Sequence, residues 1–387
     1  MSEHLEQGAV IVLDEIVRRA AAAKASDIHL EPKRDRLNVR FRVDGEMIEE
    51  PSVPLDIAPE VISRIKVLAR MDIAERRLPQ DGQLTLTPAG DTVHLRASTF
   101  PSSLGEKIVL RVLSGQALIP FEKLGIEPIG QAIVRNLVDR PQGFIVTSGP
   151  TGSGKTSTLY SLLRLLDTRR TNVVTLEDPI EVELPQITQG QTNVKAGFTF
   201  ATGLRAILRQ DPDVIMVGEI RDAETAGIAL QAALTGHLVM STLHTSDAVE
   251  SVVRLVDLGV EPWIIANALT AVLAQRLVRI VCKDCQEEAM IEHPLLDGDE
   301  MILPKGSKIV RPRGCAKCLK TGYKGRVGIF EIVVVDDEMR ELIKAKASVR
   351  DYRVLLKRRG IPSLRRIGMM RVKDGVTTVD EVVRVTT

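Results

Sequence analysis

The chain has 387 residues, 27% of them charged and 44% hydrophobic, with a formal net charge of +1. That length allows two or three domains, and the near-neutral balance excludes the basic excess of a general nucleic-acid binder. No run of about 18 apolar residues exists to span a bilayer, and the polar stretch 1–7 lacks the apolar segment of a signal peptide.

Val10, Leu13, Val17 and Ala20 recur at helical spacing and predict a helix over residues 9–23. Ser26 to Pro32 opens a strand-rich unit. Leu37 to Val43 alternates apolar and polar residues with period two, and Asp44-Gly45 makes the turn that follows. A helix is expected over 58–71, then alternating strands near 83–87 and 92–98, and another strand at Val109 to Leu113. Together these predict an α+β domain over residues 1–115. The next stretch, 116–128, has two prolines and a glycine but no clean period, and reads as a linker.

Beyond it, short apolar strands alternate with helices: Phe144 to Thr147, Val173 to Leu176, Val214 to Val217 and Val239 to Leu243. That pattern predicts a mostly parallel sheet covered by helices on both faces, spanning residues 129–281. A cysteine-bearing insertion over 282–318 and a charged, mostly helical region over 319–387 complete the chain.

Gly149-Pro150-Thr151-Gly152-Ser153-Gly154-Lys155-Thr156 fits G-x-x-x-x-G-K-[ST] in full, after an apolar strand and before a helix. Glycines let backbone N–H groups turn inward around phosphate oxygens, and the helix N-terminus adds a favourable dipole. Residues 149–156, with Ser157, are the expected nucleotide-triphosphate contacts. Lys155 should reach the β and γ phosphates, and Thr156 should ligate Mg²⁺.

A second apolar run ends in a carboxylate at Glu219. A parallel strand would deliver it to the sheet edge where such folds bind ligands, placed to orient or deprotonate an attacking water. The plain alternative is a turn cap. Gly218 stands where an aspartate usually follows such a run.

The four cysteines form two pairs, Cys282/Cys285 and Cys315/Cys318, with 29 residues between the pairs. In a large chain without an export signal, two such pairs suit a tetrahedral zinc ion better than disulfides.

Five further blocks complete a pattern. Leu204 to Asp213 running into Glu219-Ile220-Arg221-Asp222, Thr175 to Glu181, Thr235 to Thr245, Ala25 to Pro32, and Leu78 to Gly82 resemble the Walker B, Asp-box, His-box and N-terminal motifs of the type II secretion and type IV pilus assembly ATPases, the GspE/PilB-like secretion ATPase superfamily. The resemblance covers essentially the whole chain. It implies a RecA-like P-loop core behind a PAS-like α+β domain, with ATP bound between the two domains of a hexameric ring. It also implies that Glu177, Asp178 and Glu181 help place water and Mg²⁺, and that His244 senses the γ-phosphate. Arg96 and Arg111 match the family's arginine fingers, and Arg205 and Arg209 match arginines just before the Walker B strand. The tetracysteine element resembles that of secretion and pilus-extension ATPases rather than retraction ATPases.

The implied setting is cytoplasmic and peripheral at the inner membrane, reached through platform and cytoplasmic-domain proteins of a secretion or pilus machine, with no direct nucleic-acid contact. Family members usually begin with a further domain that docks on a membrane-anchored partner, whereas this chain starts almost directly at the second domain.

Overall fold

The computed structural model describes residues 2–113, 118–297 and 300–387. The chain divides into two compact units, 1–117 and 118–387.

The first unit runs α1 (Ser2–Ala22), β1 (Asp27–Pro32), β2 (Arg36–Val43), β3 (Glu46–Pro54), α2 (Ala58–Leu68), β4 (Asp81–Leu86), β5 (Val93–Ser102) and β6 (Gly105–Val112). Its strands form one antiparallel sheet in the order β3-β2-β1-β6-β5-β4. Alternation decides which face is covered. Val93, Leu95 and Ala97 of β5 point inward with Ile28, Leu30 and Leu110, and the apolar stripes of α1 and α2 (Leu13, Ile16, Val61, Ile65) close over them. The turn after β2 needs left-handed backbone twice, at Asp44 (φ 50°) and Gly45 (φ 90°), as a two-residue hairpin demands. The second helix ends at Leu68, earlier than its sequence pattern suggests. Arg70 turns left-handed (φ 56°), and the Met71 N–H donates back to the Lys66 carbonyl, which closes the helix.

The second unit begins with α3 (Pro128–Val138). Phe121, Leu124 and Ile126, in the stretch expected as a linker, are buried beside this helix; residues 116 and 117 of that stretch lie outside the described residues. There follow β7 (Gly143–Ser148), α4 (Lys155–Leu163), β8 (Val173–Glu177), β9 (Thr188–Gln191), α5 (Phe200–Ile207), β10 (Val214–Val217), α6 (Ala223–Leu234), β11 (Leu238–Leu243), α7 (Ala248–Asp257), α8 (Pro262–Ala268) and β12 (Leu269–Val281). Next come β13 (Gln286–Met290), β14 (Leu295–Asp297), β15 (Glu300–Leu303), β16 (Lys308–Pro312) and β17 (Tyr323–Val334). The chain closes with α9 (Asp337–Lys344), α10 (Val349–Arg358), α11 (Leu364–Lys373) and α12 (Val379–Thr386).

The main sheet has the order β17-β12-β7-β11-β10-β8-β9, parallel except for β17. Every residue of β7, β8, β10 and β11 is buried, because helices cover both faces. This is the α/β core expected from the sequence. Its parallel register brings the C-terminal ends of β7, β11, β10 and β8 to one edge.

Candidate nucleotide-binding site and tetracysteine cluster

The loop after β7 is bent by left-handed glycines. At Gly149 (φ 152°) an added Cβ would lie 2.4 Å from Ser153 Oγ and 2.6 Å from the Gln275 carbonyl, so only glycine fits. Gly154 (φ 89°) precedes α4, which has no side-chain cap, so its first-turn N–H groups stay available to an anion. The Ser153 hydroxyl is buried without a partner, an orphan that suits a phosphate oxygen. Thr156 and Ser157 occupy the first turn of α4, partly buried. Lys155 donates to the carbonyls of Gly149 (2.8 Å) and Pro150 (3.1 Å). Burial lowers its pKa to about 8, the Glu219 carboxylate working against that shift and Arg276 with it.

β10 delivers Glu219 to the same edge. Its Oε2 lies 3.3 Å from His244 Nε2, while His244 Nδ1 is 3.5 Å from Lys155 Nζ. The imidazole therefore stands between the phosphate-loop cation and the acidic strand. Burial alone would raise the Glu219 carboxyl, but Arg221 and His244 outweigh it and hold the group below the usual carboxylate range. Gly218 packs closely against the end of β8. A Cβ there would sit 3.3 Å from the Leu176 carbonyl and 3.4 Å from Glu177 Cα.

Glu177 ends β8, next to β10, with 2% exposure. Its carboxylate accepts from Tyr160, from Thr175 (2.6 Å) and from Gln189 (3.0 Å). Asp178 and Glu181 just beyond are exposed. His237 does not join the cluster. It precedes β11, at the opposite edge of the sheet, with Nδ1 3.0 Å from the Ala232 carbonyl.

Arg205 pairs with Glu224 at 2.7 Å, and Arg209 donates to the Arg205 carbonyl at 2.7 Å; both are exposed. In the first unit, Arg96 and Arg111 face each other across β5 and β6 on the uncovered side of the sheet. Arg111 is 3.0 Å from Asp27 and Arg96 is 3.8 Å from Asp81.

Two residues of this edge escape the sequence reading. Gln275 on β12 is buried and donates to the Ser153 carbonyl at 2.6 Å, fixing the loop from the neighbouring strand. Arg276 lines a cleft of about 560 Å³ together with Pro150, Thr151, His244 and Arg254. The available signal is a polar pair inside the apolar run Leu269–Val281.

The four cysteines converge. Their Sγ atoms all lie within 4.8 Å of one another, with Cys285–Cys318 at 3.8 Å and Cys315–Cys318 at 3.7 Å. Four thiolates about 2.3 Å from a tetrahedral zinc would be spaced by nearly that distance. Burial opposes ionisation of Cys318, but backbone N–H groups of Cys315 (3.1 Å) and Gly322 (3.2 Å) donate to its sulfur and bring its pKa to about 7. The donor set fits zinc, as expected.

A phosphate loop, an acidic strand two positions away in a parallel sheet, and a histidine from the strand between them define a P-loop ATPase. A sequence profile described as Type II/IV secretion system protein matches residues 3–384, and the chain belongs to this family of type II secretion and type IV pilus assembly ATPases. It is 48% identical over 379 residues to Type II secretion system protein E of Pseudomonas aeruginosa, covering 97% of this chain and 75% of that one. Against Type II secretion system ATPase E of Vibrio cholerae the identity is 47% over 378 residues, covering 97% and 75%. Type IV pilus assembly ATPase TfpB of Acinetobacter baylyi is 46% identical over 390 residues, covering 98% and 66%. Among solved structures, the pilus retraction motor PilT with bound ADP aligns with a TM-score of 0.64 at 25% identity, covering 96% of each chain. The fold also matches the Legionella pneumophila ATPase DotB, with a TM-score of 0.71 at 22% identity, covering 97% and 95%. No helix among the described residues is long and apolar enough to cross a membrane.

Proposed function

We propose that the protein is a homohexameric motor whose ATP hydrolysis drives pseudopilus assembly in type II secretion or extension of a type IV pilus. It works in the cytoplasm, held at the inner membrane by platform and cytoplasmic-domain proteins of the machine, without touching nucleic acid. The Lys155–His244–Glu219 cluster beside the phosphate loop carries this reading.

In it, residues 149–157 cradle the triphosphate, and Lys155 leaves its loop carbonyls for the β and γ phosphates. Thr156 is the protein ligand of Mg²⁺, which supplies charge neutralisation on the phosphates when bound. The ionised Glu219 accepts the proton of the water that attacks the γ-phosphorus, and the bond to the β–γ bridging oxygen breaks. His244 orders that carboxylate and contacts the γ-phosphate. Glu177, braced by Tyr160 and Gln189, holds the adjoining strand end beside Gly218. Arg96, Arg111, Arg205 and Arg209 supply guanidinium charge to the γ-phosphate oxygens as negative charge grows on them. Zinc on Cys282, Cys285, Cys315 and Cys318 orders the excursion between β12 and β17 and takes no part in the chemistry.

The test is light scattering for mass alongside ATPase rate as protein concentration rises. A rate per chain that climbs with assembly to a hexamer supports the ring; full activity in a monomer removes it.

A further inference from the structure

The loop that carries His244 runs from the end of β11 to Asp247 at the start of α7. It is tied to the C-terminal helices at three places. Arg276 on β12 donates to the Ser246 carbonyl at 2.6 Å and to the Val385 carbonyl of α12 at 2.9 Å. Asp247 lies 3.3 Å from Arg353 of α10. Glu331 on β17, 6% exposed, accepts from the Ala248 N–H of α7 through Oε1 (3.2 Å) and from the Leu364 N–H of α11 through Oε2 (3.3 Å).

Glu331 accepts from the first N–H of each helix, which the caps Asp247 and Ser363 leave free by taking the N–H groups of Glu250 and Arg366. Burying a carboxylate is costly, and the surrounding sheet face is apolar, with Ile329 and Val333 on the same side of β17. A hydrophobic side chain there would leave the buried Ala248 and Leu364 N–H groups without this acceptor. What a carboxylate supplies, and an apolar group cannot, is one acceptor reaching two helix N-termini at once, each with a dipole that favours negative charge. One of those helices begins immediately after the His244 loop.

We infer that Glu331 is a positioning residue that clamps the His244 loop to the C-terminal helices, so that the nucleotide state sensed at His244 and the placement of α10–α12 change together. This rests on the reading of His244 as a γ-phosphate contact. The clamp works through the ionised form, since a protonated carboxyl would present its O–H to one of the two N–H donors. Burial and the Asp247 charge raise the Glu331 pKa to about 7, against the two backbone N–H groups and Arg353, which lower it. The charged groups around it are Asp247 before α7, Arg353 on α10 and Arg276 on β12. The clamp therefore loosens as pH falls through about 7.

The test compares kcat and KM for ATP in the full chain, wild type against Glu331→Gln, from about pH 6 to about pH 8 around that value. Taking the ratio cancels the titration of Lys155. The expected ratio of wild-type to variant kcat is about tenfold at the upper end and near one at the lower end, with KM unchanged. A ratio that stays at one throughout overturns the inference. Should Glu331→Gln fail to fold, Arg353→Ala decides. It removes a cation that lowers the Glu331 pKa, so the rise in kcat moves to higher pH; an unmoved rise overturns the clamp. His244→Ala separates the two readings. Full activity in that variant removes the role of His244 itself, whereas its inactivation beside an unaffected Glu331→Gln removes only the coupling.

Discussion

His244 Nε2 lies 3.3 Å from Glu219 Oε2, so the imidazole of one strand end holds the carboxylate of the next. The other ring nitrogen faces Lys155 at 3.5 Å. A γ-phosphate arriving beside Lys155 meets a group already in contact with the proposed base.

Replacing His244 with alanine leaves Glu219 to Arg221 alone. The expected effect is on turnover: kcat falls by about 10²-fold while KM for ATP changes by less than about threefold. Steady-state kinetics check this. A rise in KM at constant kcat would place His244 in simple binding.

Lys155 should take up a proton on binding ATP. Its pKa stands at about 8 in the free protein, lowered by burial among loop carbonyls. Phosphate oxygens favour the charged form and raise that pKa. Above about pH 8 the free protein is partly deprotonated and the complex is not, so binding consumes protons there and affinity declines as pH rises further. Titration calorimetry in buffers of different ionisation enthalpy measures this. Absence of buffer dependence would contradict it.

In the first unit, Lys66 (1% exposed) donates to Glu106 (6% exposed) at 2.9 and 3.1 Å and to the Glu75 carbonyl at 2.6 Å. Removing one partner strands a buried charge. Glu106→Ala should cost about 3–5 kcal/mol, whereas Lys66→Met with Glu106→Leu should be close to neutral. Denaturant unfolding followed by fluorescence or circular dichroism distinguishes the two. Equal losses in both variants would show that packing, not charge, matters there.

Metal extraction should act locally. Apart from the cysteines, the segment that holds them is ordered by short β pairings, β13 with β16 and β14 with β15, and by Ile291 and Leu303, which pack into the core. Chelation, or Cys318→Ser, should release about one zinc per chain and open 282–318 to protease, because metal binding supplies about 10 kcal/mol of ordering in sites of this kind. ATP binding should persist. Elemental analysis with limited proteolysis reads both outcomes, and protection without metal would contradict the assignment.

Much of this architecture is legible in the sequence because its signals are local. The phosphate loop, the alternating strands of the first unit and the cysteine pairs each lie within a few residues of one another. What escapes is long-range. Gln275 reaches Ser153 across 122 positions, and Tyr160 braces Glu177 from a helix on the sheet face. Neither side chain belongs to a motif. Gly218 reads from the sequence only as a missing aspartate; the close approach of the Leu176 carbonyl to it comes from the pairing of β8 with β10. Exposed arginines such as Arg205 and Arg209 look alike in sequence whether solvated or functional, and within one chain Arg205 donates to Glu224 and Arg209 to the Arg205 carbonyl.

The central claim is that Glu219 accepts the proton from the attacking water. ATP binding and single-turnover hydrolysis by Glu219→Gln test it most directly. The account predicts ATP affinity within about threefold of wild type and hydrolysis slowed by at least about 10²-fold. Hydrolysis at the wild-type rate in that variant would assign the proton transfer to another group and contradict the account.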